Sequence, residues 1–314
     1  MAKRRSKYKR VAPEELTPIR LYKKDLQIFK LLRPGNLPYA TSQMLAAVCQ
    51  RNHNRLQQRL RQLFDNGYVF QYPPPHNKVG GSSKLVYLLD ERGAAELSDH
   101  LNEPVEPLDF DPDSYHQQLP HTLTTLWFSA LVKAACQGHP EIELLYEYHD
   151  HHFKLDFTVD HDGKTLTAKL RPDYFFGIRR DGSVRNFWCE ITRSSRKTKQ
   201  NIRGRVRSIR SKLRDYFLFY KAKGYEHDKI RELYPDVQNL KNTRVLLITD
   251  SSVGDREHEN LITLARTVDP QKVGLRLFWT AKISDFDITK PETLFAPVWR
   301  TPRLDDDQLW SILQ

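Results

Sequence analysis

Hydrophobic positions in the first hundred residues follow two periods. Leu26, Phe29, Leu31 and Leu32 predict an amphipathic helix that stops at the Pro34-Gly35 breaker. Thr41 or Ser42 then caps a short second helix running to Val48. Leu56, Leu60 and Leu63, spaced by four and three, place one buried stripe on a third helix that begins near Asn54. Asp65-Asn66-Gly67 closes it, with Gly67 suited to a left-handed C-cap. The alternating runs 68–72 and 84–89 predict two strands around a loop, 73–83, that holds three prolines and two glycines. A short helix follows from Glu91. Three helices followed by a hairpin predict a winged helix-turn-helix.

From residue 102 to 120 the pattern gives way to Pro-rich, acidic sequence, the mark of a linker. Leu123, Leu126, Trp127, Ala130, Leu131 and Ala134 then predict a helix from about His121. Strand-like runs follow at 142–148, 153–159, 166–178 and 184–191, with turns at Asp162-Gly163 and Asp181-Gly182. A long helix carries Ile202, Val206, Ile209, Leu213, Phe217 and Tyr220 on one face. A buried strand at 243–249, a helix at 258–268 and a strand at 274–280 complete the pattern. Strands alternating with helices argue an α/β sheet covered by helices. The resulting class is α+β, with a basic arm (1–19), a winged helix (20–101), a linker (102–120), the α/β domain (121–285) and a tail (286–314). Leu309, Trp310, Ile312 and Leu313 make this tail either a small partner-binding segment or, the preferred reading, a helix packed back on the sheet.

Charge sharpens the picture. Lys and Arg number 50 against 39 Asp and Glu, a formal net charge of +11, which suits a polyanionic partner, nucleic acid or a membrane surface alike. No apolar run reaches the 18 residues of a membrane helix, and no secretory signal follows the basic start. The three scattered cysteines, Cys49, Cys136 and Cys189, fit a reducing cytoplasm, the expected location, and lack zinc-site spacing. The third helix opposes its apolar stripe with Asn54, Arg55, Gln58, Arg59 and Gln62 and has no acid before Asp65. Forked Arg and Gln side chains can bond base edges or reach phosphates. Lys78 and Lys84 make the hairpin loop basic. Between Arg193 and Lys223 twelve basic residues, among them Arg203, Arg207, Arg210 and Arg214, stand against the single acid Asp215. Such a surface suits phosphate binding, or is an ordinary solvated face.

Two carboxylates carry the candidate chemistry. Pro172-Asp173, a hairpin, then Glu190-Ile191-Thr192 resembles the PD-(D/E)xK nuclease core. That resemblance implies Asp173 and Glu190 as metal ligands, with Asp156 a possible third. The metal, Mg2+ or Mn2+, would activate water against a phosphodiester. The lysine expected two residues after the glutamate is Thr192; Lys197 is the candidate substitute, alongside Lys199 and Arg193, although an arginine cannot act as a base at neutral pH. A divergent metal-dependent endonuclease therefore competes with a nuclease-like scaffold that has kept its acids for structure.

The chain as a whole resembles the replication-relaxation family of plasmids and integrative elements. The resemblance rests on Asn66-Gly67-Tyr68-Val69, the stretch from Leu85 to Gly93, Pro120-His121-Thr122-Leu123, Arg171-Pro172-Asp173, the stretch from Phe187 to Thr192, and Leu246-Leu247-Ile248-Thr249. The family pattern has an acid where this chain has Thr192. The resemblance implies a role in replication, relaxation or transfer of mobile DNA. The expected function is sequence-preferring binding of double-stranded DNA, without catalysis and without a cofactor for binding. A DNA-processing protein is an expected further partner, and helix-turn-helix habit suggests a homodimer. The rival readings are an endonuclease, a transcriptional regulator and a protein-interaction scaffold.

Overall fold

A computed structural model describes residues 10–72, 85–109, 119–149, 152–161, 163–192, 209–226, 228–250, 255–268, 277–303 and 308–314. The chain divides into two compact units, Met1–Ala134 and Ala135–Gln314.

In the first unit, α1 (Lys23–Leu32), β1 (Ala40–Thr41), α2 (Ser42–Val48) and α3 (His53–Asp65) precede β2 (Val69–Tyr72), β3 (Val86–Leu89) and α4 (Glu91–Leu101). Side-chain oxygens cap the starts of α2 and α3: Thr41 Oγ1 accepts from Met44 N at 3.3 Å, and Asn52 Oδ1 accepts from Arg55 N at 3.2 Å. Each satisfies a donor that has no partner inside its helix. Gly67 follows α3 at φ +78°, the left-handed conformation that a glycine adopts without steric cost. The strands form an antiparallel sheet ordered β1-β3-β2, with Ala40 opposite Tyr87 and Val69 opposite Leu89. β1 has only two residues, too few to leave a periodic trace in the sequence. Ile28, Phe29, Leu32, Leu45, Leu56, Leu60, Leu63, Val86 and Leu97 are wholly buried and form the core. Burying each such side chain contributes about 1.5–3 kcal/mol. At Gly93 a Cβ would lie 2.1 Å from Tyr68 O, so α4 approaches the β2 end of the chain as only glycine allows. The loop with Lys78 and Lys84 lies outside the described residues.

Helix α5 (Leu119–Gln137) runs across the division between the units. The second unit continues with β4 (Ile142–His149), β5 (Leu155–His161), β6 (Lys164–Leu170), β7 (Tyr174–Arg180) and β8 (Ser183–Thr192). Then come α6 (Ile209–Lys221), α7 (Asp228–Leu233), β9 (Thr243–Thr249), α8 (Asp255–Val268) and β10 (Phe278–Lys282). Five strands form a mixed sheet ordered β10-β9-β8-β7-β4. β8, β9 and β10 are parallel, while β4–β7 and β7–β8 are antiparallel. Parallel neighbours need long crossovers; α6 and α7 lie within the first and α8 within the second. The single strand expected over 166–178 is two. Arg171-Pro172-Asp173 breaks it, sending β6 to a separate pair with β5 and β7 to the main sheet. Proline, which has no N–H for a ladder, stands at the break.

One sheet face, with Trp188, Val245 and Leu247, packs against Leu213, Tyr216 and Phe217 of α6 and Leu261 and Ala265 of α8. The tail returns to the sheet. Arg300 and Thr280 exchange backbone hydrogen bonds, Trp299 and Trp310 do the same, and Trp299 and Ile312 are buried. No helix of the described residues is long and apolar enough to cross a membrane.

Candidate nucleic-acid interface and carboxylate cluster

The α3 face splits into two kinds of residue. Asn54, Arg55, Gln58 and Gln62 are exposed. Arg59 is held. Its Nε and Nη2 donate to the two oxygens of Asp25 at 3.0 and 2.7 Å, Nη2 also to Arg20 O at 2.7 Å, and Nη1 to Gln62 Oε1 at 2.9 Å. Its guanidinium lies 5.2 Å from the centre of the Tyr22 ring. Asp25, from the first turn of α1, is 1% exposed and also accepts from Tyr22 N at 2.9 Å. This hydrogen bond to Asp25, outweighing the effect of burial, raises the Arg59 pKa above its ordinary value. Forked, charge-assisted bonds of this kind fix geometry as well as adding energy. Arg59, expected to face DNA, is therefore a strut joining α1 to α3, and Asp25 is a partner that no helical stripe announced.

The basic segment is described only from Ile209. Lys197, Arg203 and Arg207 lie outside the described residues. On α6, Arg210 is exposed, and Arg214 is exposed but donates to Asp215 Oδ1 at 3.2 Å. Asp215 itself is wholly buried and accepts from Lys169 N at 3.2 Å. The lone acid of that segment thus ties α6 to β6.

Asp173 and Glu190 do meet. Asp173 immediately precedes β7, and its backbone N donates to Cys189 O at 3.0 Å, next to Glu190 on β8. Lys212 Nζ lies between the acids, 3.2 Å from Asp173 Oδ1 and 2.5 Å from Glu190 Oε2. Ile191 N donates to Asp173 Oδ2 at 2.7 Å, and Tyr216 Oη donates to Glu190 Oε1 at 2.6 Å. Burial pushes the Glu190 carboxyl up to about 7, Lys212 opposing and Asp173 adding to the rise. Burial acts to lower the Lys212 pKa, yet the two acids together hold it above the usual lysine range. These directions agree: one ammonium shared by two buried carboxylates stays protonated, and Glu190 is the acid whose charge burial disfavours. Tyr216 is pushed well above its ordinary value by burial and then by Glu190.

Lys212 and Tyr216 were not singled out by motif. A usable signal exists: they are four apart, flanking Leu213 and Phe217 on the buried stripe, so both face the sheet. Asp156 is elsewhere. It is half-exposed on β5 and paired with Arg171 Nη2 at 2.5 Å. Among the described residues no group of three or more His, Cys, Asp or Glu could hold a metal ion. All four oxygens of Asp173 and Glu190 accept from protein donors, and a protonated amine occupies the space between them. In this arrangement a divalent ion would have to displace Lys212 from between the two acids.

These features define a two-unit α+β chain with a buried acid–lysine–tyrosine cluster on a mixed sheet. The replication-relaxation family model matches residues 35–233, and the chain belongs to that family. No curated protein matches the sequence. Among solved structures, the restriction endonuclease FokI aligns at 10% identity and a TM-score of 0.27, over 86% of this chain and 43% of that one. The chain thus spans less than half of that protein's length, and at this TM-score the likeness has no bearing on fold or activity.

Proposed function

We propose that this chain is a DNA-binding protein acting in replication, relaxation or transfer of a mobile element, and that it binds duplex DNA without cutting it. The first unit is a winged helix in this reading, with α3 entering the major groove and the β2–β3 hairpin as the wing. The observation that carries the reading is the exposed, acid-free face of Asn54, Arg55, Gln58 and Gln62 on a helix braced by Arg59 and Asp25. Rigid presentation lowers the ordering cost of binding. Family membership supports the mobile-DNA role. The saturated oxygens of Asp173 and Glu190 support a structural role for the second unit's acids.

Footprinting on element DNA across a salt series, with and without Mg2+ or Mn2+, tests this reading. A protected site that weakens with salt and stays intact with metal is the expected result. Failure to retain any duplex near 50 mM salt overturns DNA binding. Metal-dependent nicking that is lost in Asp173→Ala and Glu190→Ala would replace the binding reading with an endonuclease. Mapping bound sites across the host and element genomes separates an origin-binding protein from a promoter-binding regulator.

A further inference from the structure

The exposed α3 face continues beyond the helix. Residues 19–25, which lead into α1, and residues 51–62 together line an open groove of about 500 Å³. Arg20, Tyr22 and Lys24 come from the first stretch, and Arg51, Arg55 and Gln58 from the second. The only acid in the lining, Asp25, is buried and already paired with Arg59. Arg20, Lys24, Arg51 and Arg55 are left with no side-chain hydrogen bond or ion pair to any described residue. Arg51 carries a guanidinium nitrogen, Nη1, shielded from water and without an acceptor among the described residues, a costly state for a charged group. Tyr22 is 57% exposed although Arg59 backs its ring.

Four cations with no side-chain partner among the described residues repel one another around one concave surface, and an anion with several charges would relieve that repulsion. Three of them are arginines, whose planar forks match phosphate oxygens. The cations stand on both sides of α1's start and α3's start, a placement that a continuous chain of phosphates can follow. We infer that this groove holds a phosphodiester backbone of duplex DNA. Arg20, Lys24 and Arg51 bind phosphate oxygens, the Tyr22 ring lies along deoxyribose, and Arg55 with Gln58 faces base edges. The inference rests on the DNA-binding reading above and adds a backbone contact surface outside α3. Contacts of this kind set register and carry no sequence information. The residues fall outside the helical pattern that marked the α3 face.

The test uses the full chain, fluorescence anisotropy, and two duplexes of equal length, one with the footprinted site and one scrambled. Arg20→Ala/Lys24→Ala removes two backbone contacts and leaves the Arg59 clamp, which uses only the Arg20 carbonyl. Each lost phosphate contact lowers the slope of log K against log salt by about 0.9. Wild type should therefore lose roughly tenfold more affinity than the double variant between about 50 and 200 mM salt. Both duplexes should weaken by the same factor. Arg55→Ala/Gln58→Ala should instead weaken the site duplex more than the scrambled one. An unchanged melting temperature establishes that each variant is folded. If Arg20→Ala/Lys24→Ala keeps the wild-type affinity and salt slope while the α3 pair loses its preference, the groove inference is overturned and the DNA-binding reading stands. If neither pair changes retention of either duplex, both are overturned.

Discussion

Replacing Lys212 with methionine keeps the length of the side chain and removes its charge. Asp173 and Glu190, 7% and 2% exposed, then share a buried site with no counter-ion. Breaking a buried ion pair from one side costs about 3–5 kcal/mol. The Lys212 side chain is 24% exposed, so water can partly replace it, and the low end, about 3 kcal/mol, is the better figure. For a unit of this size each kcal/mol moves the transition by about 2–4 °C, giving a drop of roughly 6–12 °C. Tryptophan fluorescence is a suitable probe, because Trp188, Trp279, Trp299 and Trp310 all belong to the second unit. Adding Glu190→Gln to Lys212→Met removes one orphaned charge and should recover about half of the loss. Wild-type melting should not respond to Mg2+ at about 5 mM, whereas a site with a dissociation constant of about 0.1 mM would gain roughly 2 kcal/mol there. A Lys212→Met variant that melts within about 2 °C of wild type, or a wild-type transition raised by Mg2+, refutes the view that lysine is the resident cation.

Asp25→Ala leaves Arg59 largely buried without its partner; the first unit should lose about 2–3 kcal/mol in urea unfolding and bind DNA more weakly, whereas Arg55→Ala should weaken binding alone. His258 is 3% exposed and hydrogen-bonded to Thr249 Oγ1 at 3.1 Å; burial, then Lys282, lowers its pKa below 6.5. The unfolded chain therefore takes up the proton first, the contribution of His258 is complete above pH 6.5, and it is lost as pH falls through the folded pKa. Urea midpoints measured between about pH 7 and pH 5 should fall more for wild type than for His258→Gln. Gly93→Ala drives a methyl into Tyr68 O, and the urea midpoint should report a loss of about 1–3 kcal/mol.

The elements that the sequence disclosed are those with a clean period. Leu56, Leu60 and Leu63 marked α3, and Asp181-Gly182 marked the β7–β8 turn, because burial on one face repeats along a single segment. What stayed hidden depended on distant pairing. Asp25 and Arg59 are 34 positions apart, and nothing local shows that one charge cancels the other. The acids Asp173 and Glu190 were visible from their spacing around a hairpin. Their lysine was not, because it comes from a helix that crosses over the sheet instead of from the adjacent strand position held by Thr192. The break at Pro172 was legible as a proline, but the apolar runs on each side concealed that two different sheets begin there.

The Asp25–Arg59 strut constrains how this helix could be redesigned. An α3 graft from another protein that omits the arginine would strand a carboxylate in the interior of the first unit, and a library randomising that position would return poorly folded clones that look like weak binders. On the DNA-binding reading proposed above, specificity is best altered at Asn54, Arg55, Gln58 and Gln62, with residue 59 left alone or exchanged together with residue 25.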